Sequence, residues 1–357
     1  MTALERSVHR RKIHMSHTVT LSDTGPRVCA VTVAYNKPEE LANLLSSLQN
    51  QHACLSGLVI IDNSDNCFSA QNKKVCDLHA QKYAFTRYYN TANNVGSAGG
   101  FRCGMKIAHE NGFSWVWLLD QDGAVSSNCL AELLRHADKG DILCPNRVDA
   151  RRPHSSEPMV FVRNFLGGEY RVSLCVTDCQ VVTFGTHGVL ISKKALDTIG
   201  YYDDSLFFVG YEDHDYGYRA VQKGLVILFV AEAQALHPSS LPTGKKLKIF
   251  PAQLNLKFLP ADLNYVSVRL EEKPCSRSEA RSIAPFSLAY LDSKHLAPWQ
   301  FAIALVYTEC YALYRKIAGE RGIALTATLR LHLKCLRFSL KRDWPYATIE
   351  LLCQDII

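Results

Sequence analysis

The chain has 357 residues, 47% of them hydrophobic and 21% charged, a balance that builds a globular core and excludes a mainly disordered chain. Its 20 Gly and 13 Pro are too few for a collagen-like or low-complexity protein. The net charge of +6, from 40 Lys and Arg against 34 Asp and Glu, is small and dispersed, so no nucleic-acid partner is expected.

Residues 1–26 form a polar, basic tail (Arg10, Arg11, Lys12) without the apolar centre of a signal peptide. From Arg27 onward strands and helices alternate. Val28–Tyr35 is β-branched and apolar, and reads as a buried strand. Pro38 suits a first helical turn, and Leu41, Leu44, Leu45 and Leu48 follow at helical spacing. Gly57–Asp62 is a second strand and Phe85–Tyr89 a third. Asn94–Gly100 reads as a glycine-rich turn, followed by a helix over Phe101–Asn111. Trp115–Leu119 is a fourth strand, then come a helix over Ser127–Ala137 and a strand over Asp141–Cys144.

Residues 145–180 are irregular enough for a loop or flap. A strand region over Val181–Ser192 follows, with helices near Lys193–Ile199 and Glu212–Lys223 and a strand over Leu225–Val230. This order predicts an α/β domain with a mostly parallel central sheet over residues 27–240. Pro238, Pro242 and Gly244 mark its end.

Residues 241–357 form a mainly helical C-terminal region, with helices expected over 296–320 and 324–342. In the latter, Leu329, Leu333, Leu336 and Leu340 share one face, with Arg330, Lys334, Arg337 and Lys341 beside it. Such a basic amphipathic helix either lies in a membrane interface or turns its leucines to the core. No stretch reaches the about 18 apolar residues of a membrane span. The 13 Cys include no C-x-x-C pair, and Cys29, Cys129 and Cys144 sit in apolar runs, which suits reduced structural thiols in a cytoplasmic protein.

In open parallel sheets, ligands bind beyond the carboxyl ends of the strands. Polar residues collect there: Tyr35 and Asn36 after the first strand, Asp62 after the second, Asn94, Gly96, Gly99 and Gly100 after the third, and Asp120 and Asp122 after the fourth. Two carboxylates one residue apart suit a hard divalent cation that bridges phosphate oxygens, although an ordinary Asp-Gly turn has the same sequence. Asp62 suits a ribose or base contact, or a strand-end cap. Neither a nucleotide-binding G-x-G-x-x-G after the first strand nor a G-K-[ST] loop is present. Glu212 and Asp213 open a predicted helix, where they either answer its dipole or offer a general base. His187 and His237 read equally as structural or functional.

Taken together, V-T-V-A-Y-N (31–36), I-I-D-N-S (60–64), N-N-V-G-S-A-G-G-F (93–101), L-L-D-Q-D (118–122), F-G-T-H-G-V-L-I (184–191), I-G-Y-Y-D (199–203) and F-F-V-G-Y-E-D-H-D-Y-G-Y-R (207–219) resemble family 2 glycosyltransferases of the GT-A fold. They occur in family order. The segments around Gly99 and Glu212 are similar to bacterial galactofuranosyltransferases, and the L-D-Q-D and I-D-N-S pieces equally to rhamnosyltransferases.

The resemblance implies a nucleotide-sugar donor of the UDP-galactofuranose or dTDP-rhamnose type and a growing cell-surface glycan or lipid-linked acceptor. It implies that Tyr35, Asn36, Asp62, Asn94, Gly96, Gly99, Gly100 and Asp120 line the donor site. Asp122 and His237 would ligate Mn²⁺ or Mg²⁺. Asp213 would be the catalytic base, with Glu212 and His187 on the acceptor side. Members of this kind work at the inner face of the cytoplasmic membrane, which agrees with a peripheral contact through the basic helix. A non-catalytic glycan-binding or scaffold protein on the same fold is the alternative.

Overall fold

A computed structural model describes residues 26–51, 54–149, 160–163, 169–171, 177–204, 210–238, 291, 294–306, 329, 333, 335–337 and 339–341. Its centre is four parallel strands, β1 (Val28–Ala34), β2 (Gly57–Asp62), β3 (Thr86–Asn90) and β4 (Trp115–Asp120), in the order β3-β2-β1-β4. β1 and β2 are apolar almost throughout because both faces are covered. Cys29 and Val31 point to one core with Ile61, Phe101 and Met105, whereas Val28 and Ala30 point to another with Leu41, Leu44 and Trp117.

The covering helices are amphipathic in register with those cores. α1 (Pro38–Ser47) buries Leu41, Leu44 and Leu45 on one side of the sheet, with Pro38 and two acids in its first turn. α2 (Asn66–Lys82) buries only Asn72 and Cys76. That thin seam gives no apolar period to read, so this helix goes unexpected in the sequence. α3 (Gly96–Glu110) buries Phe101, Met105 and Ala108 on the opposite side of the sheet from α1. It begins five residues earlier than the expected helix, so the glycines form its first turns and not a loop. At Gly100 a Cβ would stand 2.7 Å from Val33 Cγ1, so glycine there lets the helix close onto β1.

The rest of the sheet is mixed. β5 (Ala124–Val125) and α4 (Cys129–Leu134) follow β4, and β6 (Ile142–Asp149) runs well past the expected strand. Within 150–180, β7 (Val160–Arg163), β8 (Glu169–Arg171) and β9 (Cys179–Gln180) replace the expected loop, and β10 (Thr183–Phe184) joins β7 and β8 in a small second sheet. β11 (Leu190–Ser192) lies between β4 and β6 and is antiparallel to both, which adds a mixed part to the otherwise parallel centre. Three buried residues fix a strand but carry no direction; the path of the chain sets that.

α5 (Lys193–Ile199) is capped by Ser192, whose Oγ accepts from Ala195 N. α6 (Glu212–Gln222) follows Gly210 and Tyr211, both with left-handed backbone. β12 (Ile227–His237) is parallel to β6 and shifts register between Val230 and Gln234. Its far end pairs with β5, Ala235 opposite Val125 and Leu236 opposite Ala124. That pairing folds the loop after β4 against the end of β12.

Cys29, Cys129 and Cys144 are buried free thiols, and burial pushes the titration of each up. Beyond the sheet, a helix over 298–306 buries Phe301 and exposes Trp299, Ile303 and Val306. In the last helical stretch Cys335 and Ser339 are buried while Leu329, Leu333 and Leu340 are exposed, so these leucines do not face the core. Arg330 and Lys334 lie outside the described residues, as do the expected boundary near 240 and residues 1–25. Among the described residues no helix is long and apolar enough to cross a membrane.

Candidate active site

The β5–β12 pairing brings Asp120, Asp122 and His237 together, with one ligand atom of each within 4.8 Å of the others. His237 Nε2 lies 3.2 Å from Asp122 Oδ1 and 3.5 Å from Asp120 Oδ2. Burial opposes charge on His237, but the hydrogen bonds and charges of the carboxylates raise its titration to about 9. Burial likewise opposes charge on Asp122, and the His237 hydrogen bond and charge outweigh it and lower that carboxyl. Two carboxylates and an imidazole on a half-exposed rim are a donor set that suits a divalent cation of the Mn²⁺ or Mg²⁺ kind.

His187, expected on the acceptor side, packs against the metal-site loop. It is buried beneath the same loop, where its Nδ1 accepts from Asp120 N at 3.1 Å and its Nε2–H donates to Ala124 O at 3.0 Å. Burial lowers its titration to about 4, so the ring is neutral and this tautomer is fixed. A Cβ at Gly123 would overlap the imidazole, which explains the glycine after Asp122. Gln121 ties this loop to β1 by accepting from Tyr35 N–H and donating to Tyr35 O at 3.1 Å.

The first-strand residues stay on the rim. Tyr35 is exposed. Asn36, with φ 50°, exchanges hydrogen bonds with Asp65 across the end of β2. Asp62 does not. It is 0% exposed and accepts from Tyr88 Oη at 2.6 Å, Asn72 Nδ2 at 3.1 Å and Ser64 N at 2.9 Å. It caps the strand and has no surface left for a base. Asn72 and Tyr88 carry no sequence signal for this, since each sits alone in a polar stretch. Asn94 is exposed and orders the entry to α3 by accepting from Gly96 N at 2.9 Å. Gly96, Gly99 and Gly100 are buried in helix packing and do not line an open site.

The other corner is the start of α6. Glu212 is 4% exposed; its Oε1 accepts from Ser97 Oγ at 2.8 Å and its Oε2 has no hydrogen-bond partner among the described residues. Burial, with the charge of Asp213, raises Glu212 to about 8, so it is a neutral acid at neutral pH. Asp213 is half-buried, accepts from the His214 and Thr186 backbones, and is also raised by burial. The charge of Asp120 bears on both acids. Thr186 and His187 therefore link the two corners, one touching Asp213 and the other Asp120. Of the adjacent acids, Asp213 is the more exposed.

The family model for Glycosyl transferase family 2 matches residues 29–200. Galactofuranosyltransferase GlfT1 of Mycobacterium tuberculosis (strain ATCC 25618 / H37Rv) is 31% identical over 217 residues, covering 59% of this chain and 70% of that protein. The chain belongs to the family 2 glycosyltransferases. The transferase is also 28% identical over 221 residues to GlfT1 of Mycolicibacterium smegmatis, with the same coverage. Among solved structures it resembles GalNAc-T7 crystallised with UDP, GalNAc and Mn²⁺, at TM-score 0.51 and 14% identity, over 76% of this chain and 52% of that one. The transferase thus spans about half the length of that enzyme, and the likeness shows a shared GT-A fold. Family membership leaves the scaffold alternative without support.

Proposed function

We propose that this transferase moves galactofuranose from a UDP-linked donor to a hydroxyl of a cell-surface glycan or lipid-linked acceptor, by one displacement with inversion. The observation that carries the reading is the pairing of two corners on one rim: Asp120, Asp122 and His237 on one side, and Asp213 on the other. The names of the curated relatives favour galactofuranose, and none of them supports a rhamnosyl donor.

Asp122, Asp120 and His237 would hold a divalent cation, which would supply charge neutralisation at the donor diphosphate and the departing nucleotide. Tyr35 and Asn94 are the exposed rim residues offered to the nucleotide. Asp213 takes the proton from the acceptor hydroxyl. The oxygen of that hydroxyl then bonds to the anomeric carbon as the bond to the diphosphate breaks. Burial raises the Asp213 titration, which makes its carboxylate a stronger proton acceptor. Direct displacement needs no enzyme nucleophile.

Exposed Trp299, Ile303 and Val306, with exposed Leu329, Leu333 and Leu340 beside Arg337 and Lys341, support a peripheral contact with an anionic membrane at its inner face. Vesicle sedimentation tests this: Arg337→Gln with Lys341→Gln lowers binding to anionic vesicles, and unchanged binding rejects it. The transfer reading is tested by the anomeric configuration of the product from UDP-galactofuranose, read by NMR. An inverted product supports single displacement, and a retained one excludes it.

A further inference from the structure

Asp215 lies on α6, two residues beyond Asp213, and it is fully buried. A carboxylate in that position is costly unless cations surround it. It has three. Arg219 Nε donates to Oδ2 at 2.7 Å, one helical turn along α6. Lys294 Nζ and His295 Nε2 both reach Oδ1 at 2.8 Å, and these two come from the C-terminal region, 79 and 80 residues away in sequence. Burial alone would raise the Asp215 carboxyl, but the His295 hydrogen bond and the charges of Arg219 and Lys294 hold it well below the usual carboxylate range.

The contact is wider than one ion pair. His295 also packs on the Tyr218 ring at 5.0 Å and meets Gln222 through Nδ1 at 3.1 Å. Leu291 is buried against Ala98 of α3 and Tyr218 of α6. Lys294 approaches Asp203 at 3.8 Å. One short C-terminal segment therefore grips α6 along its length and touches the turn of α3 that carries Ser97. The entry of α6 needs such a grip, because Tyr211 holds a left-handed backbone at φ 70°, a conformation that persists only where surrounding contacts fix it.

We infer that Lys294 and His295 are positioning residues, a latch by which the C-terminal region fixes the start of α6 and so the placement of Asp213. This rests on the reading of Asp213 as the base, but the latch itself is tested without that reading. Hydrogen exchange on the full-length chain follows the amides of 212–218, with β1 and β4 as internal references. Lys294→Met and His295→Leu each raise exchange at 212–218 by about tenfold or more and leave β1 and β4 unchanged. Mn²⁺-dependent UDP affinity stays within about twofold, at one site per chain, while UDP release from UDP-galactofuranose falls by about tenfold or more.

Lys294→Arg restores protection and turnover, which a loss of folded protein does not allow. His295→Gln, which keeps size and a donor, serves where His295→Leu fails to fold. Unchanged exchange at 212–218, or an equal rise in β1 and β4, overturns the latch. Full turnover in Asp213→Asn instead overturns the base and leaves the latch result standing.

Discussion

His187 holds Asp120 from beneath: its Nδ1 accepts the Asp120 backbone N–H at 3.1 Å while its Nε2–H anchors the carbonyl of Ala124 at 3.0 Å. The imidazole thus spans both ends of the loop that carries Asp122. A ligand loop is only as well placed as the groups that orient it, and loss of such a support typically costs about 10–100-fold in metal affinity. His187→Ala is expected to weaken Mn²⁺-dependent UDP binding within that range while Asp122 remains in place. Titration of Mn²⁺ by paramagnetic resonance checks this, and unchanged affinity rejects the supporting role.

Asp213→Asn keeps its shape and loses its basicity. Donor binding should be retained and transfer should fall by about 10²–10⁴-fold, the usual contribution of a positioned base. For the wild type, the acid limb of the rate should lie at higher pH than an unperturbed aspartate would give, because the base must lose its proton and burial has raised it. The acid limb belongs to Glu212 and Asp213 as a pair. An acid limb no higher than that of an unperturbed aspartate contradicts the assignment.

Glu212 offers a stability test. Its folded titration, raised to about 8 by burial, means that the folded state keeps a proton the unfolded chain releases near the ordinary glutamate value of 4.5. Its stabilising contribution is complete below the unfolded value and is lost as pH rises through about 8. Glu212→Gln removes that loss and keeps an acceptor for Ser97. The variant should melt higher than wild type at pH 8 and show a flatter melting profile between pH 5 and 8. Parallel profiles would count against a buried neutral acid.

Gly100 separates packing from ligand binding. Alanine in a helix interior gains about 1 kcal/mol over glycine. At Gly100 the added methyl meets Val33 Cγ1 at 2.7 Å, and overpacking costs about 1–3 kcal/mol. The steric term wins, so Gly100→Ala should lower stability in urea melts, with UDP affinity of the folded fraction unchanged. A stabilised variant with weakened UDP binding would restore the glycine to the donor site.

Much of this architecture was legible from residue pattern. The continuous apolar runs of β1, β2 and β4 announce a sheet covered on both faces, and the polar residues at their ends mark one rim. Asp122 and His237 meet as their types suggested, although 115 residues separate them, because β12 runs on past its apolar half to pair with β5. Side-chain burial and the direction of the shortest strand were not legible. Asp62 has the sequence of a ligand contact, yet Tyr88 and Asn72 close over it. His187 reads equally as structural or functional, and it sits under the loop. β11 is too short to state its direction. The Asp215 latch was not visible at all, since Lys294 and His295 lie in a stretch with no periodicity and gain meaning only where the chain folds back on α6.

The central claim is that Asp120, Asp122 and His237 form the corner that receives the donor diphosphate through a cation. Calorimetric titration of UDP into the wild type and Asp122→Ala, each with and without Mn²⁺, tests it most directly. The account predicts binding at one site in the wild type that requires Mn²⁺, and loss of that requirement together with the affinity in Asp122→Ala. Equal UDP binding by both proteins, with or without Mn²⁺, would contradict it.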